Sequence, residues 1–132
     1  GVSELSNDMR GLERAAAEGH EGAQLAVEIF CYRLAKHAAA LVVALGRLDA
    51  LVFTGGIGEN SSGVRARTIS LLGHLGLELD EKRNDTYGAN SNGVVSRDGP
   101  PIALVISADE EQLIAVETAT VLAGKESGGA AL

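Results

Sequence analysis

Leu51-Val52-Phe53-Thr54-Gly55-Gly56-Ile57-Gly58-Glu59-Asn60 carries the strongest chemical signal in the chain. An apolar run ends in glycines and opens directly into a helix start. Free backbone N–H groups there, with the positive end of the helix dipole, suit a phosphate or the polar edge of a nucleotide. Missing Cβ atoms let a ligand lie against the backbone itself. The spacing is not that of a GxxxxGK[ST] loop, because no Gly-Lys-Ser/Thr follows. Nor is it GxGxxG, because Ser61 stands where the last glycine would be. A tight strand-to-helix turn with no ligand fits the same residues, and spacing alone leaves both readings open.

Two shorter stretches come next. Ser107-Ala108-Asp109-Glu110-Glu111 follows a second apolar run. Strand ends are where ligands of α/β sheets bind, so acids at this point could hold a hydrated Mg²⁺. Ser107 and Glu110 also have the spacing of a capping box, and first-turn acids suit the helix dipole anyway, so spacing favours the cap. In Ser6-Asn7-Asp8-Met9-Arg10, Asp8 and Arg10 flank a helix start. A guanidinium there could stack on a base or pair with a phosphate, although an N-cap beside a surface arginine is the plainer reading. His20, His37 and His74 share no close spacing, and no His/Cys/Asp set has metal-ligand spacing. Cys31 sits in the apolar part of a long helix and reads as a small core residue.

The elements that must position these residues follow from periodicity. Asp8 caps a short helix through about Glu18, and Gly19 stops it. A longer helix runs from about Glu21 to Leu45, with Leu25 or Ala26, Ile29 or Phe30, Leu34, Ala38, Leu41 or Val42, and Leu45 at helical spacing. Leu48 to Thr54 reads as a buried strand, broken by Gly55 to Gly58. Asn60 or Ser61 then caps a helix through about His74. Leu77-Glu78-Leu79 and Val94-Val95 read as brief strands around a charged stretch and a polar, turn-rich segment. Ile102 to Ile106 is a second buried strand, and Asp109 to about Leu122 a final helix. The small, polar residues 123–132 read as a disordered tail. Helices alternating with buried strands describe an α/β layer with parallel neighbours. Two buried strands against a mean sheet of about five or six point to part of a larger sheet.

Composition narrows the function classes. In 132 residues, eleven Lys and Arg face eighteen Asp and Glu, a net charge of −7. Such a surface repels phosphate backbones, and two Tyr with two Phe offer few stacking platforms, so no nucleic-acid partner is expected. One cysteine forms no internal disulfide. No apolar run approaches the roughly 20 residues of a membrane span, and no basic-then-apolar leader opens the chain, so the expected setting is soluble, reducing and cytoplasmic, away from any membrane. Seventeen glycines, about 13% against a usual ~7%, call for tight turns or backbone that a ligand approaches closely.

Phe53-Thr54-Gly55-Gly56-Ile57-Gly58-Glu59-Asn60-Ser61 resembles the corresponding loop of the acetate kinase family, and the likeness extends in register on both sides. Ser6-Asn7-Asp8-Met9-Arg10 is similar to that family's S-x-D-x-R stretch. Ala23-Gln24-Leu25-Ala26 and Phe30-Cys31-Tyr32-Arg33 resemble its long helix, and Gly76-Leu77-Glu78-Leu79-Asp80 with Lys82-Arg83-Asn84 the segment after the glycine motif. Ala108-Asp109-Glu110-Glu111 stands where the family has T-N-E-E. The resemblance covers residues 1–122 and only the C-terminal third of a family member.

What the resemblance implies is a partial ribonuclease-H-like domain, of α/β class, from the acetate and sugar kinase, heat-shock and actin superfamily. The implied reaction transfers the γ-phosphoryl of ATP to acetate, reversibly giving ADP and acetyl phosphate, with Mg²⁺. Carried over by position, Gly56, Ile57, Gly58, Glu59 and Asn60 would form the adenosine pocket. Asp8, Met9 and Arg10 would line the nucleotide site, and Glu110 would hold Mg²⁺ through water. Asp109 replaces the family's Asn and adds charge beside that metal. The family's acetate-pocket Arg, catalytic His and Arg, and metal-binding Asn correspond to positions before Gly1, so the 132 residues alone are expected to be inactive. The helix over 109–122 would pack on the N-terminal domain, and a homodimer is implied. A propionate kinase shares this type of loop, and a non-catalytic self-associating module that keeps the fold is the reading from a different class.

Overall fold

The computed structural model describes residues 9–109. The expected final helix, apart from Asp109, and the tail over 123–132 lie outside them, as do Asp8 and Glu110. In chain order the elements are α1 (Met9–Ala17), α2 (Glu21–Leu45), β1 (Ala50–Phe53), α3 (Gly55–Asn60), α4 (Ser62–Leu71), a 3₁₀ turn (Gly73–Leu75), α5 (Glu81–Asp85) and β2 (Ile102–Val105).

α2 has the bounds its periodicity predicts, and its own sequence supplies both ends. His20 is the N-cap, its Nδ1 accepting from the Ala23 N–H at 3.0 Å. Gly46 closes the C-terminus, its N–H donating to the Val42 carbonyl at 2.9 Å. The buried stripe is not the one expected. Ala23, Val27, Cys31 and Ala35 are buried at i, i+4 spacing, while Leu25, Ile29, Leu41 and Leu45 are exposed. Small side chains let α2 approach α1 and α4 closely, which leaves the large apolar ones on the outer side.

β1 and β2 pair in parallel, Ala50 opposite Ile102 through Phe53 opposite Val105. Alternation puts Leu51, Phe53, Ala103 and Val105 on one face, and all four belong to the main core with Ala35, Ile69, Leu72, Leu77 and Val95. The opposite face is open: Val52 is 44% exposed. The strands expected to be buried are therefore buried on one face, because among the described residues the helical layer covers only that side. The expected brief strands over 77–79 and 94–95 are reduced to single antiparallel bridges, Leu79 with Ser96 and Val94 with Leu104. The charged stretch after Leu79 folds as α5, because the Asp80 carboxylate accepts from the Arg83 N–H at 3.0 Å.

The glycine segment departs most from expectation. It is a helix in its own right, α3, rather than an open turn before a single helix. Ser61 separates it from α4 and caps the latter, its Oγ accepting from the Val64 N–H at 3.0 Å. α4 ends at Leu71 rather than near His74, and its last turn tightens to 3₁₀.

Candidate functional site

α1 and α3 face each other across an open cleft of about 620 Å³. Met9, Arg10 and Glu13 line it from α1; Thr54, Gly56, Ile57, Asn60 and Ser61 line the other side. Its floor is apolar, since Met9 is buried in a second core cluster with Val27, Cys31 and Val64, against which Ile57 packs. Its rim offers a guanidinium, a carboxylate and an amide. Such a cleft suits a flat, partly apolar ligand with polar edges.

Three glycines shape α3 for three different reasons. Gly55 has a φ of +75°, which turns the chain from the extended strand straight into the helix and which L side chains rarely adopt. Gly58 lies against the strand: a Cβ there would sit 3.2 Å from the Phe53 carbonyl carbon. Gly56 lines the cleft, and a Cβ placed on it would meet nothing within 4 Å.

The structure thus brings Met9, Arg10, Gly56, Ile57 and Asn60 together on one cleft. Gly58 faces Phe53 rather than the cleft. Glu59 lines a different depression of about 700 Å³ on the far side of α3, shared with Tyr87, Gly93, Val105 and Ser107, and Asn60 touches both. Asp8 and Glu110 lie outside the described residues. Among the described residues, no group of three or more His, Cys, Asp or Glu could hold a metal ion.

Sequence reading missed three residues. Glu13 is three positions from Arg10 on one helix face, a spacing that signals a shared surface. Its Oε1 accepts from the Ser61 hydroxyl at 2.6 Å and ties the two walls of the cleft together. Ser61 was expected as a cap, not as a member of the cleft. Arg65 carries no sequence signal of its role at all. It is 0% exposed and has no acidic partner at salt-bridge distance among the described residues. Its Nη1 donates to the carbonyls of Gly58 at 2.9 Å and Glu59 at 3.0 Å. Burial pulls its pKa below the ordinary arginine value, with Tyr87 and Glu13 acting against the shift. Given how high that ordinary value is, the group remains a cation.

The acetokinase family model matches residues 1–116. The chain belongs to the acetokinase family. It is 55% identical over 125 residues to an acetate kinase of Deinococcus radiodurans, covering 95% of this chain and 31% of that protein. To an acetate kinase of Chromobacterium violaceum it is 57% identical over 120 residues, covering 90% and 30%. Among solved structures, an acetate kinase of Porphyromonas gingivalis superposes with a TM-score of 0.72 at 35% identity, over 87% of this chain and 29% of that one. A propionate kinase of Francisella tularensis superposes at 0.70 with 42% identity, over 80% and 26%. The acetokinase assignment and the mixed helix and parallel-sheet architecture agree with each other. The chain spans about 30% of the length of the acetate kinases it matches. No helix among the described residues is long and apolar enough to cross a membrane.

Proposed function

We propose that this chain carries the nucleotide side of a kinase that converts ATP and acetate into ADP and acetyl phosphate, with the adenosine resting in the cleft between α1 and α3. Gly56 is the observation that carries the reading. Its backbone is not in the left-handed region and nothing crowds its missing Cβ, so the fold itself has no need of glycine there. A glycine in a helix is about 1 kcal/mol worse than alanine. Close approach of a ligand to that backbone accounts for its presence. Met9 and Ile57 would take the flat face of the base, and Arg10, Asn60 and the proposed Asp8 its polar edges and the ribose. Glu59 stays a proposed second-side contact, because it lines the other depression.

The role of these residues is to bind and orient. Phosphoryl transfer depends on positioning and on charge stabilisation at the γ-phosphoryl. The residues that bind the phosphoryl acceptor and stabilise the transferring phosphoryl are proposed to lie in the roughly 70% of the relatives' length that this chain does not span. Glu110 is proposed to hold Mg²⁺, an ion that in kinases neutralises phosphate charge. No described residue joins it in that role. The phosphoryl acceptor is proposed as acetate, on the acetate kinase relatives; the likeness to a propionate kinase keeps propionate as the alternative. A homodimer and a cytoplasmic setting complete the proposal; the exposed apolar residues Leu25, Ile29, Tyr32 and Leu71 around a groove of about 530 Å³ between α2 and α4 support the homodimer.

Calorimetry with ATP and ADP on Gly56→Val tests the adenosine reading. Both affinities are expected to fall by about tenfold or more and by the same factor, because the two nucleotides share the adenosine. Unchanged affinity would leave Gly56 without a ligand role and remove the reason for the proposal. Acetyl-phosphate formation by the 132-residue chain alone is expected to stay at background, and ATP-dependent turnover by it would overturn the division of labour.

A further inference from the structure

Arg65 is the largest fully buried side chain of the described residues, and its hydrogen bonds converge on one element. From α4 its Nη1 reaches the carbonyls of Gly58 and Glu59, the last turn of α3, at 2.9 and 3.0 Å. Its Nε donates to Asn84 Oδ1 at 2.7 Å and its Nη2 to the Asn84 carbonyl at 3.0 Å. Asn84 is itself buried in α5 and donates to the Ser62 carbonyl at 3.0 Å. The guanidinium carbon lies 4.9 Å from the centre of the Tyr87 ring. One planar fork thus joins α3, α4, α5 and the loop after α5.

α3 needs such a clamp. It has six residues, three of them glycine, and none is buried. Isolated helices shorter than about 12 residues are marginal even in alanine-rich sequences, and each glycine weakens a helix further. Its shape is held from outside. Besides Arg65, the Asn60 amide donates to the Gly56 carbonyl at 2.9 Å. A cation at the C-terminal end of a helix also opposes the negative end of its dipole.

From this geometry we infer that Arg65 is a positioning residue for the ligand of the α1–α3 cleft: it holds the glycine helix in the shape that the ligand meets, without touching the ligand. The inference rests on the nucleotide reading for the ligand's identity, but not for the clamp. Lysine keeps the charge and loses the fork, since an ammonium with three donors cannot bond the carbonyls of Gly58, Glu59 and Asn84 and the Asn84 side chain in one plane.

The test is Arg65→Lys in the 132-residue chain, read by two independent measurements. Hydrogen exchange without ligand is expected to speed up at least tenfold at the Ser61 amide, which bonds the Ile57 carbonyl, while the Leu72 amide at the end of α4 is unchanged. Calorimetry with ADP is expected to show at least tenfold weaker binding than the parent chain. Unchanged exchange at Ser61 would overturn the clamp whatever the ligand. Altered exchange with unchanged ADP affinity would overturn its role in positioning the ligand. A parent chain that does not bind ADP would overturn the nucleotide reading, and with it the ligand half of the inference, while exchange still decides the clamp. If Arg65→Lys loses cooperative unfolding, Asn84→Ala takes its place: it removes one anchor of the fork and is expected to shift both readouts in the same direction by a smaller factor, and no shift in exchange would again overturn the clamp.

Discussion

α2 and α3 are opposite solutions to making a helix. α2 has 25 residues, a cap at each end from its own neighbours, and a buried stripe that anchors it to α1 and α4. α3 has six residues, no buried side chain, and an arginine of another helix on its C-terminal carbonyls. The first is specified locally and gains its energy from packing. The second is a piece of backbone moulded by its surroundings, and it is the one that lines the cleft. An element whose own side chains are almost absent leaves its main chain open to a ligand, at the expense of intrinsic stability that other elements must supply.

The largest expected effect breaks α3 at its contact with β1. In Gly58→Val the new Cβ meets the Phe53 carbonyl carbon at 3.2 Å and its Cβ at 3.4 Å, before the methyl groups are placed. The strand backbone cannot give way without disturbing its pairing with β2. The loss is expected at about 2–3 kcal/mol, as for other overpacked sites, read as a lower midpoint in urea. Gly56→Val, two residues away, should leave that midpoint within about 0.5–1 kcal/mol of the parent, because open space and ordinary β-branched propensity are all it meets. Equal midpoints for the two variants would mean that α3 does not sit on the strand as described.

The same contrast explains what could be read from sequence. α2 was legible to the residue because the signals that end a helix are local: Gly46 follows the last periodic position, and an apolar pattern runs without break from Glu21. Its buried face was not, because the helix is apolar on most sides and burial goes to the small residues that allow close approach. α3 could not be read as a helix, because Gly55-Gly56-Ile57-Gly58 has no helical preference and the clamp that imposes the helix lies seven and six positions downstream of Gly58 and Glu59. The cleft was legible in part. Met9, Arg10, Gly56, Ile57 and Asn60 follow from a glycine-rich strand end and a helix start that resemble a known family. Glu13 and Ser61 join the cleft through a contact across 48 positions, which no local pattern encodes.

A middle-sized effect sharpens the comparison at the joint between α3 and α4. Ser61→Ala removes the cap of α4 and the hydroxyl that donates to Glu13. Loss of a serine N-cap costs about 1 kcal/mol. Glu13 is half-buried on an open cleft, so its carboxylate can regain water and the lost contact adds little to that figure. The urea midpoint is expected to fall accordingly, and nucleotide affinity to weaken because α1 is no longer tied to the opposite wall. His20→Ala, at the cap of the longer α2, is expected to cost about 0.5 kcal/mol or less, the lower end for an N-cap. A larger loss at His20 than at Ser61 would mean that α2 depends on its cap more than α4 does.

The smallest effect comes from the buried stripe of α2 and depends on pH. Burial pushes the Cys31 thiol above its ordinary pKa, with the Thr68 side chain and the charge of Arg67 acting in the other direction. Above the unfolded value of about 8.5, the unfolded chain releases the thiol proton while the folded chain keeps it. The folded state then binds more protons, so stability falls as pH rises. The loss begins near the unfolded value and levels off once pH passes the raised native one; below it, Cys31 contributes no pH dependence. Thermal unfolding followed from pH 7 to 10 should show this fall in the parent chain and a shallower one in Cys31→Ala, whose starting stability is lower because a buried sulfur is lost. Alkylation by iodoacetamide at pH 8 is expected to be slow in the folded chain and fast in urea. Parallel pH profiles for parent and variant would mean that the thiol on this face of α2 is not held away from water, and that the helix read as the anchored one is looser there than its buried stripe implies.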